Sequence, residues 1–187
     1  MAECERSFMR RLYGWEIDQA RQVFGNELAY EAVRIYECNS WPNRIDRLGH
    51  TMKARFAAVP PPTKSDTAIT LGNRVLFPIR LPEFRPDPGQ PEHVLFCWLM
   101  HELTHVWQYQ TTGWGYLFRA IQAQMKEGYT YGGAEKLREF RLSGKTFLDF
   151  NLEQQGDIVR DYYRRLCSAE DVTDWEAYIR VDIQRQV

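Results

Sequence analysis

The stretch Val94-Leu95-Phe96-Cys97-Trp98-Leu99-Met100-His101-Glu102-Leu103-Thr104-His105-Val106-Trp107 decides how the rest of this 187-residue chain is read. Its apolar density predicts a buried helix from about Glu92 to Tyr109, and within it His101 and His105 stand four residues apart. On a helix such residues share one face about a turn apart, so both imidazoles can reach one ion at the roughly 2.0–2.1 Å of a Zn–N bond. Glu102, one position on, lies beside that ion, where a carboxylate can take a proton from a bound water. Two histidines exposed on a soluble helix would be the plain alternative, but apolar neighbours on both sides argue against it, because buried imidazoles need partners.

A catalytic zinc site keeps three protein ligands and one open position, so a third donor is needed. Glu153 and Asp157 in Asn151-Leu152-Glu153-Gln154-Gln155-Gly156-Asp157 share a helix face, and Gly156 beside them permits close approach of another helix. Glu153 is the expected third ligand. Asp157 is expected to accept the second ring N–H of a ligating histidine. Asn151 and Gln154 have the spacing of a capping box. Cys167, His50 and His93 are weaker candidates: Cys167 reads as a buried thiol, His50 sits in a loop, and His93 is offset around its helix from His101.

Working outward, the spacing of Phe8, Leu12, Trp15, Ile17, Ala20 and Val23 predicts a helix from Glu5 to Phe24, and Leu28, Ala32, Ile35 and Tyr36 predict a second one ending near Cys38. Pro60-Pro61-Pro62 excludes helix in the irregular stretch that follows. Ala68-Ile69-Thr70-Leu71, Gly72-Asn73 and Arg74-Val75-Leu76-Phe77 read as a hairpin. Such a hairpin can cover the metal helix, or bind extended substrate at its edge. Further helices are expected at Tyr116 to Lys126, Ala134 to Phe140, Asn151 to Ser168 and Val172 to Gln184. The architecture is therefore α+β and mostly α, with a small sheet beside the metal helix, in a single domain over residues 1–187.

Composition narrows the function class. Lys plus Arg is 24 against 25 for Asp plus Glu, a net charge of −1, which leaves no basic excess for a phosphate backbone and excludes nucleic acid as the expected partner. No apolar run approaches the roughly 18–20 residues of a transmembrane segment, and the polar start is read as carrying no Sec signal. Cys4, Cys38, Cys97 and Cys167 form no CxxC pair and are expected to be reduced thiols, with at most one or two bridges in an oxidising compartment.

With these residues in view, the chain resembles the gluzincin peptidases, the thermolysin-like HExxH zinc hydrolases. That resemblance implies a zincin-like fold, Zn2+ on His101, His105 and Glu153, Glu102 as base, and Asp157 orienting a histidine. The string His101 to Gln108, the Tyr129-Thr130-Tyr131 pair and Phe150-Asn151-Leu152-Glu153-Gln154-Gln155 resemble the metallopeptidase effector domains fused to type VI secretion spike (VgrG) proteins and related toxins, over roughly Ile69 to Tyr163. This implies a toxin that hydrolyses a peptide or protein substrate, is fused to a spike, meets an immunity protein, and is secreted without a Sec signal to act in a target-cell periplasm or a host cell. Two departures stand out. The gap from His105 to Glu153 is longer than in thermolysin, and no histidine follows His105 to steady the oxyanion. Tyr131 and Arg160 are the first-choice catalytic donors in its place, with Tyr129, Tyr162, Tyr163, His50 and His93 as further candidates. The alternative function is a binding module in which zinc only staples two helices while a surface engages an envelope or cytoskeletal protein.

Overall fold

The structure is a computed structural model, and it describes residues 6–39, 68–113 and 130–185. His50, the triple proline, the helix expected over Tyr116 to Lys126, Tyr129 and Cys4 lie outside the described residues. The described residues form an α+β, mostly helical arrangement in which one small sheet flanks a pair of long helices.

The sheet has four strands, β1 (Phe8–Arg10), β2 (Arg34–Glu37), β3 (Ile69–Leu71) and β4 (Arg74–Leu76), in the spatial order β1-β2-β4-β3. The hairpin forms as its sequence predicts: β3 and β4 pair antiparallel, Ile69 opposite Leu76, around a turn in which Gly72 takes a φ of 62°. A two-residue hairpin whose first central residue has positive φ favours glycine there. β4 also pairs in parallel with β2, Ile35 opposite Val75, and β2 pairs antiparallel with β1.

These pairings correct two expectations. The helix predicted from Glu5 begins only at Gly14 (α1, Gly14–Phe24), and residues Phe8 to Arg10 are strand instead. Arg10 reaches from β1 between Glu37 and Glu16, both almost fully buried, at 2.6 and 2.7 Å. Glu16 also accepts the Tyr13 amide at 2.7 Å, which fixes where the helix starts. The second predicted helix is a single 3-10 turn, Tyr30–Ala32, followed by β2. In β2, Ile35 and Glu37 are buried while Arg34 and Tyr36 are half-buried, the two-residue alternation of a strand. Periodicity over four or five apolar residues does not separate helix from strand, and here the neighbouring strands decided it.

The helices are α2 (Pro91–Thr112), α3 (Gly133–Leu142), α4 (Leu152–Cys167) and the short α5 (Thr173–Ala177), which continues as π-helical turns over Tyr178–Ile183. α2 packs along α4, and β3 and β4 lie against α2. Phe96, Leu99, Met100 and Leu103 of α2 and Ile158 and Val159 of α4 are almost completely buried. α2 is not enclosed on every side. Val94 is 68% exposed, and Trp98, His101 and His105 are half-buried along the same stripe of the helix. That stripe is where the helix opens toward solvent.

Candidate metal centre

The open stripe carries the two histidines. His101 Nε2 and His105 Nε2 lie 3.2 Å apart, and the Glu153 carboxylate of α4 closes on both, at 3.3 Å from His101 Nε2 and 3.6 Å from His105 Nε2. One ligand atom from each of the three lies within 4.8 Å of the others, the only such group of three among the described residues. Gly156 makes this approach possible. A Cβ built there would stand 2.6 Å from His101 Cε1, 2.7 Å from Nδ1 and 2.8 Å from Nε2, so no other residue fits with the ring in place. One turn earlier, the Asn151 side chain accepts the Gln154 amide at 2.9 Å and Gln154 Oε1 accepts the Asn151 amide at 3.2 Å. This is the capping box that the sequence indicates, and it fixes where α4 begins.

Each imidazole is oriented through its other nitrogen. His101 Nδ1 lies 3.1 Å from Asp157 Oδ1, and a carboxylate can only accept, so the proton sits on Nδ1. His105 Nδ1 lies 2.8 Å from Gln108 Oε1. The Gln108 amide orientation is set by its own partners, because Nε2 donates to Leu152 O at 3.1 Å and to Gln155 Oε1 at 2.9 Å. Gln155 in turn donates to Phe150 O at 2.7 Å. His105 therefore also carries its proton on Nδ1. Both Nε2 atoms are left as lone pairs facing each other beside a carboxylate. Such an arrangement repels itself unless a proton or a metal cation sits among the three, and two imidazole nitrogens plus one carboxylate is the donor set that suits zinc.

The protonation energetics of the metal-free site agree. Burial works against charge on His101, but hydrogen bonds to Asp157 and Glu153 and the charge of Glu102 outweigh it and raise the ring to about 9. His105 is raised in the same way against its burial, chiefly by Glu153 and Glu102. Burial would raise Glu153, yet hydrogen bonds from both histidines hold it well below the usual carboxylate range.

Glu102 is almost fully buried, and its Oε2 accepts a 2.7 Å hydrogen bond from Thr70 Oγ1 of β3. Its carboxylate is thereby fixed from a strand 32 residues away. Thr70, Gln108 and Gln155 were not singled out from the sequence. Gln108 had a visible signal, since it stands three residues after His105 on an otherwise apolar helix; Thr70 had none.

The remaining candidates are not part of the triad. Tyr131 is buried, donates to Asp161 Oδ2 at 2.6 Å and accepts from Trp175 Nε1 at 3.2 Å. Arg160 lies between two aspartates, with Nη1 2.5 Å from Asp157 Oδ1 and Nε 3.1 Å from Asp161 Oδ1. Tyr163 turns its hydroxyl to Gln19 at 2.9 Å, and Tyr162 is buried in the core. His93 stacks on Tyr163 rather than joining the triad; neither of its ring nitrogens has a hydrogen-bond partner among the described residues, and burial, with Arg85 and Arg164 nearby, lowers its pKa. Cys97 and Cys167 are free thiols, and Cys38 is disulfide-bonded.

Comparison with known proteins places this geometry in context. No protein-family model matches the chain. A segment of 69 residues is 44% identical to the type VI secretion system spike protein VgrG2b of Pseudomonas aeruginosa; the match takes in 34% of this chain and 6% of that protein, so the chain spans a small part of its relative's length. Among solved structures, the effector domain of Pseudomonas aeruginosa VgrG2b superimposes with a TM-score of 0.52 and 25% identity, covering 96% of this chain and 84% of that domain. The chain is thus similar in fold, over 96% of its length, to the effector domain of a VgrG spike protein, with the 44% identical segment covering 34% of it.

Proposed function

We propose that this chain is a zinc-dependent peptidase, the effector portion of a VgrG-type spike delivered by type VI secretion into a target cell. The observation that carries the reading is the convergence of His101 Nε2, His105 Nε2 and Glu153, with both rings oriented by Asp157 and Gln108 and with Glu102 held beside them by Thr70. The similarity to the VgrG2b effector domain supports the delivery route and a spike partner. An immunity protein that protects the producing cell, and action in the target-cell periplasm or in a host cell, belong to the same reading.

The residues divide the work as follows. His101, His105 and Glu153 would hold the metal, leaving a position for substrate and water. Zinc held there supplies Lewis acidity to a peptide carbonyl and to water. Glu102, held by a hydrogen bond from Thr70, accepts the proton of the attacking water and returns it to the leaving amine. Among the described residues β3 is the last strand of the sheet, and its outer edge can take an extended peptide as an added strand and present the scissile bond to Glu102.

The test pairs metal analysis with a single substitution. Protein purified without chelator is expected to carry one zinc, to cleave a labelled unstructured protein such as casein, and to lose cleavage but keep zinc on Glu102→Gln. Growth is then compared for wild type and Glu102→Gln, each expressed in the cytoplasm or exported to the periplasm. Absence of stoichiometric zinc overturns the metal site. Undiminished cleavage or toxicity by Glu102→Gln overturns the peptidase mechanism and favours a binding module.

A further inference from the structure

Arg160 and Tyr131 have the right chemistry to donate to an oxyanion, yet both are engaged in a chain of contacts that starts at the metal triad. His101 Nδ1 meets Asp157 Oδ1 at 3.1 Å, and Arg160 Nη1 meets that same oxygen at 2.5 Å. Arg160 then reaches Asp161 Oδ1 through Nε and Nη2, each at 3.1 Å. Asp161 Oδ2 accepts the Tyr131 hydroxyl at 2.6 Å, and that hydroxyl accepts Trp175 Nε1 at 3.2 Å. The chain thus runs from α2 through one face of α4 to residue 131, just before α3, and on to α5.

We infer that Arg160, Asp161 and Tyr131 are positioning residues which act on the metal site through Asp157, and that neither Arg160 nor Tyr131 touches the substrate. The inference rests on the metal reading above. Asp157 has two ways to fail as a partner of His101: its carboxylate can rotate away, or it can swing toward the cation and compete with Glu153 as a ligand. A guanidinium on the same oxygen opposes both, because it fixes the carboxylate plane and neutralises its charge. Arg160 is itself held by a second carboxylate on the next turn, and that carboxylate is locked by a buried tyrosine, which is 7% exposed and donates to it. The side chains of Asp157 and Asp161 are 24% and 26% exposed, so water competes less for the carboxylates than for the Arg160 end of these contacts, which is 39% exposed. A free oxyanion donor would need its hydrogen-bonding groups turned to the open stripe of α2; the Tyr131 hydroxyl instead has both a donor and an acceptor role filled within the fold.

The prediction is a graded effect on metal binding that fades along the chain. Removing the partner of a metal-bound histidine weakens metal affinity about 10–100-fold, so Asp157→Asn is expected within that range, Arg160→Met at about tenfold or less, and Tyr131→Phe less again. Zinc affinity is measured by competition with a chromophoric chelator, alongside the visible spectrum of the Co2+-loaded protein, which reports ligand geometry and which a purely structural arginine would leave unchanged. Thermal melts establish that each variant folds, and Asp161→Asn serves as a second route to the same link should Arg160→Met fail to fold. Altered Co2+ spectra and weakened zinc binding in that order support the inference. Zinc affinity and Co2+ spectrum both unchanged in Arg160→Met or Asp161→Asn overturn it, as does retained metal affinity with a hundredfold loss of kcat in Tyr131→Phe, the behaviour of an oxyanion donor. A parent protein that binds no zinc would instead overturn the metal reading itself, which keeps the two failures apart.

Discussion

Gly156→Ala adds one methyl group where α4 lies directly against the His101 ring of α2. The new carbon would sit 2.6–2.8 Å from three atoms of the His101 ring, whereas carbon contacts are comfortable at about 3.5–4.0 Å. α4 must therefore withdraw by about 1 Å, or the ring must turn. Metal–ligand distances tolerate only about 0.2 Å, and either response also pulls His101 from Asp157, now at 3.1 Å. Stability responds less than affinity. Overpacking costs about 1–3 kcal/mol, while alanine regains about 1 kcal/mol of helix propensity over glycine. The metal-free variant should thus melt only a few degrees below the parent, at about 2–4 °C per kcal/mol for a chain of this size. Zinc affinity should fall by about 100-fold or more, beyond the upper end of what losing a histidine's partner costs. Melts of the metal-free proteins, set beside chelator competition at fixed pH, separate the two effects. Zinc binding by Gly156→Ala within about threefold of the parent would refute the reasoning, since the helix contact would then not be setting the ring's position.

Other perturbations probe other links. Gln108→Leu keeps the side chain's bulk but removes the acceptor for His105 and the donor for Leu152 O and Gln155; zinc affinity should drop about 10–100-fold and stability by about 1–3 kcal/mol, measured by the same titrations and melts. Thr70→Val removes a hydroxyl that holds Glu102, so kcat should fall about tenfold, the equivalent of about 1.4 kcal/mol, with zinc content unchanged and Thr70→Ser restoring the rate. Equal loss of zinc in Thr70→Val would show that the strand holds the site together rather than the base. Burial, with the nearby Cys167, pushes the Cys97 thiol up to about 12, which leaves about one molecule in ten thousand as thiolate at pH 8. Iodoacetamide at pH 8 should therefore modify the half-exposed Cys167 in the native protein and Cys97 only after denaturation, as read by peptide mass mapping.

Much of the candidate metal centre was legible because its residues sit at helical spacings within two short segments. His101 and His105 are four apart, as are Glu153 and Asp157, and Asn151 marks the helix start; each relation follows from 3.6 residues per turn alone. The strands at Phe8 and Arg34 were misread as helix because their pairing partners lie outside any local window: Phe8 pairs with Glu37, and Arg34 with Arg74. Thr70 was invisible for the same reason, since a threonine on a hairpin gives no sign of which carboxylate it faces. Arg160 and Tyr131 were read from the sequence as catalytic donors; their hydrogen-bond partners, Asp157, Asp161 and Trp175, depend on how α4, residue 131 and α5 meet and carry no local signal.

By itself, then, the sequence determined the chemistry on offer: a buried helix with two imidazoles and a carboxylate on adjoining faces, a second helix with two carboxylates on one side, and a glycine where the two could approach. Tertiary structure alone decided which nitrogen of each ring is free, because the partners of the other nitrogen, Asp157 and Gln108, take their orientations from α4 and from Arg160, Leu152 and Gln155. Residue spacing along a helix is a local property, fixed by backbone geometry, whereas the direction of a hydrogen bond is settled only when both partners and their own neighbours are packed in place.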